Sequence, residues 1–364
     1  MYIETPSTNT IIEKIKANNP NSTILLFIAE TDMLDIPELI QKLNEANIKF
    51  LGGVFPKLIY DNEVKDRGVV INFIKKEIGL FKVQNIEEKN YEIPTLNLSR
   101  EKSYCTFTLV DGLTGNISHY LSELYRNFGN YCSYLGGGSG SLTLKQQPCV
   151  FDRDGFYMDA AVVIVFETKV SIGVKHGWQR IEGPIIATKT DKNVIKELNW
   201  RKAFDIYKEA VEQDAKTEIR EDNFFDIAKA YPFGMVKENS ESIVRDPIAT
   251  NEKGELICVG EVMENTVVDI LKGVDKNLIA SATEAANIAL KNVKEVNNVL
   301  IVDCISRVLF LEDKFEEELN NVSSAIKKDF SDAEISGALT LGEISSYNGY
   351  LEFLNKTLVV GLFS

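Results

Sequence analysis

Three segments of this chain follow the same order of elements, and this repetition limits the fold more than any other feature. Each segment has a short apolar strand that ends in an acid, a helical stretch, a glycine-containing strand start and a closing apolar strand. The acid-terminated strands are Thr23–Glu30, Thr106–Asp111 and Asn298–Asp303. Because such a unit cannot bury its own apolar faces, several copies have to pack around shared sheets.

The remaining parts of the repeat predict the fold class. Apolar residues at helical spacing predict helices over 36–46, 115–129 and 311–328, each after an acid-terminated strand. The predicted fold is mixed α/β, in which repeated β-α-β-β units form two packed mixed sheets flanked by helices. The two halves are expected to associate intimately, with ligand crevices at the carboxyl ends of strands.

Chain length predicts more than one domain. At 364 residues the chain is longer than the length that usually folds around a single hydrophobic core. A polar stretch without periodicity at 214–224 is the candidate boundary. We expect an N-terminal helix or extension over 1–22, an N-terminal domain over 23–220 and a C-terminal domain over 221–364.

Composition excludes several classes of function. The formal net charge is -14, which disfavours binding of nucleic acid because phosphate neutralisation needs clustered cations. No apolar run reaches the roughly 18 residues that a membrane-spanning helix needs. The five cysteines are scattered, without a C-x-x-C pair, and no secretory signal precedes them. This pattern predicts reduced thiols and a cytoplasmic location.

A glycine run, Gly136-Gly137-Gly138-Ser139, is the sharpest local motif, and it allows two interpretations. Glycines let the backbone approach a ligand and offer amide N–H groups to an anion. Alternatively, the run marks a bulge or a tight crossing between strands. No Lys-Ser/Thr pair closes the run, so it is not a phosphate-binding loop of the Walker type.

The segment that follows the third acid-terminated strand predicts a ligand contact. Asp303, Cys304 and Arg307 come directly after a buried strand, and arginine is the natural bidentate partner of a carboxylate. A nucleophilic Cys304 would need an activating histidine. Because neither His119 nor His176 has a recognisable catalytic context, a packing or ligand-contact role is favoured over catalysis.

A second charged segment, Arg245-Asp246, precedes a proline, and it forms either part of the site or an exposed ion pair. With Arg307, Arg245 could hold a carboxylate while Glu343 or Asp246 meets an ammonium group. This set suits a zwitterion of amino-acid size. His176 lies in a His-Gly-Trp turn; one histidine without a second clustered ligand does not predict a metal site, and a structural role is favoured.

The order of these motifs resembles the FIST proteins, with N-terminal and C-terminal FIST domains in succession. The resemblance rests on YLGGGSGS, GVKHGW, VRDP, IVDCISRV and ISGALTLGEI, and extends from about residue 23 to 362. It implies a sensory module of signalling proteins that binds small ligands such as amino acids; some members bind haem to sense nitric oxide. The chain departs from the family pattern at Trp200, Asn265 and Leu354, the last in place of a common histidine.

The function expected from sequence is sensing without catalysis and without a cofactor. A small polar ligand, possibly an amino acid, would bind in a crevice, and the signal would pass in trans to a separate protein such as a kinase or cyclase. A haem sensor using His176 and a Cys304-dependent hydrolase or transferase are the alternatives. The expected ligand-binding residues are Gly136, Gly137, Gly138, Ser139, Arg245, Asp246, Asp303, Cys304, Arg307, Glu343 and Asn355.

Overall fold

The computed structural model describes residues 1–18, 21–31, 33–237, 241–347 and 349–364. Residues 19 and 20 of the helix or extension expected over 1–22 therefore lie outside the described residues. The first repeat and the strands that flank it contain β1 (Tyr2–Ile3), α1 (Thr8–Asn18), β2 (Thr23–Ala29), α2 (Ile36–Glu45), β3 (Phe50–Phe55), β4 (Lys57–Tyr60), β5 (Glu63–Lys65), β6 (Val69–Ile74) and β7 (Glu77–Gln84).

The second and third repeats have the same order of elements. The second contains β8 (Tyr104–Asp111), α3 (Ile117–Phe128), β9 (Cys132–Ser139), β10 (Val150–Asp152), β11 (Gly155–Tyr157), β12 (Ala160–Glu167) and β13 (Val170–Lys175). An intervening segment contains β14 (Gln179–Asp191), β15 (Val194–Leu198), β16 (Arg201–Lys202), α4 (Ala203–Ala215), α5 (Phe224–Ala228), β17 (Phe233–Met235), β18 (Ile243–Thr250), β19 (Leu256–Val259) and β20 (Thr266–Lys272). The third contains α6 (Asp275–Leu290), β21 (Asn298–Cys304), α7 (Ile305–Leu311), α8 (Phe315–Lys327), β22 (Glu334–Thr340), β23 (Glu343–Tyr347), β24 (Tyr350–Leu354) and β25 (Leu358–Phe363).

Strand pairing confirms the repeat and the mixed α/β class. In every unit the first strand pairs in parallel with the second and antiparallel with the closing strand. The triplets are β2 with β3 and β6, β8 with β9 and β12, and β21 with β22 and β25. The described residues form four sheets where the sequence predicted two, because each repeat builds a six-stranded sheet and the intervening segment builds another.

The three repeats complete one another by exchanging β-hairpins. The hairpin β4–β5 of the first repeat extends the sheet of the third, β10–β11 of the second extends that of the first, and β23–β24 of the third extends that of the second. The hairpins therefore close a cycle, and each six-stranded sheet contains strands from more than one repeat. The N-terminal and C-terminal parts of the chain are accordingly interwoven.

The three repeat sheets enclose a shared apolar core. Phe27, Phe107 and Leu300, from the first strands of the three units, belong to one buried cluster. Helices cover the outer faces: α1 and α2 pack on the first sheet, α3 on the second, and α6 and α8 on the third. The antiparallel fourth sheet, in the order β14-β20-β17-β18-β19-β15-β16, packs its own apolar face onto the shared core.

Close approach of strands explains the glycine run. Gly136 lies in β9, and a Cβ atom there would stand 1.8 Å from the carbonyl oxygen of Thr108 on the neighbouring strand. A Cβ on Gly137 would stand 2.8 Å from Thr340, the last residue of β22 in the third unit's parallel strand pair. The run is therefore a tight strand crossing, the second of the two interpretations that the sequence allowed.

We expect Gly136→Ala to lower the free energy of unfolding by about 3 kcal/mol, because the new methyl group overpacks β8 against β9. Gly115→Ala is the matched control, since its Cβ would meet nothing closer than 3.6 Å. Urea denaturation measures both variants. Equal midpoints for the wild type and Gly136→Ala would contradict this packing.

Candidate functional site

The loop between β24 and β25 is where the fourth sheet meets the repeats. In this loop Lys356 has a φ of 56°, and Gly68 and Asp159, before the closing strands of the other units, also have positive φ. The Lys356 side chain is fully buried, its Nζ lies 3.0 Å from Asp246 Oδ2 of β18, and it stands 4.7 Å from the ring centroid of Trp178. One buried ion pair thus fastens the fourth sheet to the third unit.

Arg307 stabilises the same junction between the fourth sheet and the third unit. Its Nε and Nη2 donate to the two carboxylate oxygens of Glu318 at 2.9 and 2.6 Å. The remaining N–H groups reach the carbonyl oxygens of His176, Lys356 and Leu278. All five donors are used, so none is left for the ligand carboxylate that the sequence suggested. Although burial acts to lower it, Glu318 keeps the pKa of Arg307 above its usual value.

The carboxylate of Asp303, by contrast, lacks hydrogen-bond partners. Its side chain is fully buried, neither carboxylate oxygen has a hydrogen-bond partner among the described residues, and Oδ1 lies 3.5 Å from Arg307 Nε. Burial, reinforced by Glu318, raises the pKa of Asp303 well above its usual range. Because Glu318 already takes Arg307 in a bidentate pair, the charged form of Asp303 has only the longer contact to Arg307 Nε.

Glu343 lies on the core side of the third unit, beside Cys304. Its Oε1 is 3.0 Å from Thr340 Oγ1, and its Oε2 accepts the N–H of Thr357 at 3.1 Å. Burial raises the pKa of Glu343 to about 8. A protonated Glu343 can donate to Thr340, whose hydroxyl then donates to the carbonyl oxygen of Asp303 at 3.3 Å. The neutral acid is therefore satisfied inside the protein.

Cys304 has little capacity as a nucleophile in this setting. The side chain is buried, burial raises its pKa, and the Ser306 hydroxyl donates to its Sγ at 3.0 Å. Since the thiolate is the reactive form, a raised pKa and restricted access both slow attack on a substrate. The hydrolase or transferase alternative gains no support from these contacts.

Both nitrogens of the His176 ring already have partners. Nδ1 accepts the N–H of Trp178 at 2.9 Å, and Nε2 lies 2.9 Å from Oε2 of Glu241. The side chain is also buried. An iron at either nitrogen would have to displace one of these partners, so this donor set does not fit an axial haem ligand as it stands. A haem role for His176 stays a prediction.

Arg245 differs from the other buried cations because it is incompletely bound. Its Nε donates to the carbonyl oxygen of Glu261, and its Nη1 reaches the carbonyl oxygens of Val244 and Phe353 and Oδ1 of Asn355. Nη2 makes no hydrogen bond, and the side chain makes no ion pair, to any residue that the structure describes. Burial lowers the pKa of Arg245 to about 10.

A cavity of about 390 Å³ opens beside Arg245. One wall is the Gly112–Ser118 segment, which joins β8 to the first turn of α3. The opposite wall comes from the fourth sheet, at 192–193, Ile248 and 258–261, and Phe353 of β24 lines the same space. Two acidic residues, Glu87 and Glu261, also line it. The cavity thus offers two cations, the buried Arg245 and the exposed Lys192, together with two carboxylates and the amino end of a helix.

The predicted site residues meet one another, yet most of them are packed together instead of lining the cavity. Arg245 lines it, and Asn355 binds Arg245 from behind. Asp246, Asp303, Cys304, Arg307 and Glu343 form the adjoining buried network, and Gly136, Gly137, Gly138 and Ser139 lie in β9. A ligand contact for these residues stays a prediction.

The Gly112–Ser118 wall was not among the site residues expected from the sequence. The available signal was a turn of small and polar residues, Gly112-Leu113-Thr114-Gly115-Asn116, between an acid-terminated strand and a helix. Asn116 caps α3 in the left-handed conformation, and its side-chain amide donates to the carbonyl oxygen of Glu87. The wall contributed by the fourth sheet had no comparable sequence signal, because the sequence of a short strand in an inserted sheet does not indicate which loop that strand will face.

Comparison with protein families decides the classification. The FIST N domain model matches residues 22–201, and the FIST C domain model matches residues 203–346. The chain belongs to the FIST proteins. FIST domains are sensory domains of signal transduction that bind small ligands. No curated protein matches this FIST chain.

We expect the unfolding free energy of this FIST protein to fall as pH rises, in part because of Glu343. Folding raises the pKa of Glu343 from 4.5 to about 8, so the folded protein keeps a proton that the unfolded chain releases across this interval. The contribution of Glu343 to the free energy of unfolding is largest below its pKa in the unfolded chain. This contribution is lost as pH rises through its pKa in the folded protein. Glu343→Gln should flatten this slope when urea denaturation is measured across the interval.

The exposed Glu88→Gln variant is the control for that experiment, and it should keep the wild-type slope. If Glu343→Gln and the wild type lose stability in parallel between these pH values, Glu343 is not protonated in the folded protein.

We also expect native protein to resist alkylation at Cys304. Iodoacetamide at neutral pH should label Cys304 more slowly than free cysteine, because the thiol is buried and protonated. Peptide mapping by mass spectrometry measures the extent of labelling, and urea-unfolded protein, labelled at all five cysteines, provides the reference. Labelling of Cys304 faster than that of free cysteine would instead support a Cys304-dependent hydrolase or transferase.

Proposed function

We propose that this protein is a sensor for a small zwitterionic ligand of amino-acid type, which binds in the cavity beside Arg245. The observation that supports this proposal is the incompletely bound guanidinium. A buried charge is costly unless it is paired, and Arg245 has four hydrogen-bond acceptors around it but no carboxylate partner among the described residues. An anionic group of a ligand would complete the site.

The carboxylate of the ligand would bind between Arg245 Nη2 and the first turn of α3. The amino end of a helix carries unpaired N–H groups and a partial positive charge. The N-cap residue of α3, Asn116, makes no side-chain capping bond, since its amide is turned toward Glu87. Both features favour an anion at the same end of the cavity.

The ammonium group would lie toward Glu87 and Glu261. These two residues replace Glu343 and Asp246, to which the sequence assigned this role, because the latter two are enclosed in the buried network. A volume of about 390 Å³ lies at the small end of the range for ligand pockets. It suits one amino acid better than a large cofactor.

Ligand binding would be coupled to signalling because the two cavity walls come from different parts of the fold. The Gly112–Ser118 wall belongs to the second unit, and the opposite wall belongs largely to the fourth sheet. A ligand bound to both favours conformations in which they lie close together, to the extent of its differential affinity for those conformations. The receiving protein, such as a kinase or cyclase in trans, stays a prediction.

No helix among the described residues has the length and hydropathy needed to cross a bilayer. The cytoplasmic location expected from the sequence stays a prediction.

We expect a thermal-shift screen of the common amino acids to identify a stabilising ligand, and calorimetry to give its affinity. Arg245→Gln should weaken that affinity by about a hundredfold, because a charge-assisted contact to the carboxylate is lost. The carboxamide derivative of the same amino acid should bind the wild type comparably weakly. Circular dichroism establishes that the variant is folded.

Ile248→Glu is a second variant that leaves Arg245 in place. It puts a carboxylate on the cavity wall, where it can pair with Arg245, so it should also abolish binding. Arg220→Gln removes an exposed arginine and is the matched control. The proposal fails if no amino acid binds at millimolar concentration, or if Arg245→Gln and Ile248→Glu bind as tightly as the wild type.

A further inference from the structure

A second and larger cavity, of about 740 Å³, lies at the opposite end of the shared core. Its apolar surface comes from Ile74, Phe166, Leu300 and Phe363, all of which belong to the central cluster. These residues come from the sheets of all three units, so the cavity is the open end of the core that the units enclose. Each of these four side chains is at most 7% exposed, so the opening presents only their edges to a ligand.

Much of the remaining lining is polar or charged, and two of its four asparagines lie on the same strands as these apolar residues. Asn72 is 3% exposed and lies on β6 between Val70 and Ile74, which face the central core. Asn298 begins β21, two residues before Leu300, which also faces the core. Because side chains alternate across a strand, both asparagines lie on the core side of their sheets. The sequence has polar amides where an apolar layer would otherwise continue.

The fold uses these two amides only in part. Asn298 makes no side-chain hydrogen bond to a described residue, although its Oδ1 is shielded from solvent. Asn72 Oδ1 accepts from the Ser336 hydroxyl at 2.8 Å, which leaves Nδ2 buried without a partner among the described residues. Rotating the Asn72 amide by half a turn would leave Oδ1 unpartnered instead. A buried polar group without a partner destabilises the fold by the cost of its desolvation.

We propose that this cavity is a second ligand site, for a small uncharged molecule with an apolar ring and one carboxamide or hydroxyl group. The ring would cover the apolar surface formed by Phe166, Leu300 and Phe363. The polar group would exchange hydrogen bonds with Asn72 and Asn298, after small rotations of these side chains. A group that both donates and accepts matches the two amides in either orientation.

Most charges around the opening are paired, which favours an uncharged ligand; the exposed Lys75 is the exception. Glu167 is paired with Lys76 and Lys102, and Glu334 is paired with the amino group of Met1. These carboxylates are therefore already neutralised. The volume lies within the range of pockets for small molecules.

This site is independent of the Arg245 cavity. The strand β21 runs from Asn298 at the large cavity to Cys304 in the network behind Arg245. Seven residues of extended chain separate the two ends by about 20 Å. A ligand at one site therefore cannot contact the other.

Benzamide is a suitable probe, with toluene as the matched molecule that lacks the amide. Saturation-transfer NMR on the full-length protein should detect benzamide binding, with an affinity about tenfold higher than that of toluene. Leu300→Trp fills the cavity and should abolish the signal. Asn298→Leu should weaken benzamide binding about tenfold without lowering the melting temperature, because no hydrogen bond within the protein is lost.

Asn127→Leu, which changes an exposed asparagine of α3, should bind benzamide as the wild type does. Equal affinity for benzamide in the wild type, Asn298→Leu and Leu300→Trp would overturn the proposal. A lower melting temperature for Asn298→Leu would assign Asn298 to the fold and overturn its ligand role. A crystal soaked with benzamide that shows an ordered water only between the asparagines would also overturn the proposal.

Discussion

Hairpin exchange between three incomplete units is the constraint on which the rest of the structure depends. Each unit contributes a two-stranded hairpin to a neighbouring sheet, and β7 and β13 extend neighbouring sheets as well, so the shared core forms only when all three are present. This arrangement fixes where the connecting loops lie. The loop that closes the third unit, with Lys356 at its turn, meets the fourth sheet, and the ion pair between Lys356 and Asp246 holds that contact. The Arg245 cavity lies beside this junction.

The buried cations around the junction differ in how their charges are neutralised. The proposed ligand site depends on this difference. Arg307 is held by Glu318 in a bidentate pair, and Lys356 is held by Asp246. These two contribute to the assembly of the fold. Arg245 has hydrogen bonds to oxygen atoms of the backbone and of Asn355 but no ion pair among the described residues, and the carboxylates of Glu352 and Glu261 act on it only at longer range. A protein that keeps such a group beside a cavity is suited to complete the pair with a ligand.

Much of the fold could be predicted from the sequence, because the repeat is visible in the order of acid-terminated strands and glycines. The cyclic exchange of hairpins could not, since nothing in a short hairpin such as 57–65 indicates which sheet it will extend. The site was predicted in part. Arg245 and Asn355 do meet, whereas Arg307 and Glu343 have partners within the protein that the sequence did not reveal. The Glu318 contact comes from a helix eleven residues further on and has no signature in the sequence.

A crystal structure of the protein soaked in a mixture of amino acids tests the central claim most directly. The account predicts a carboxylate within hydrogen-bond distance of Arg245 Nη2, near the first turn of α3, with an ammonium group toward Glu87 or Glu261. A cavity that holds water alone, with Arg245 paired to a carboxylate of the protein itself, would contradict it.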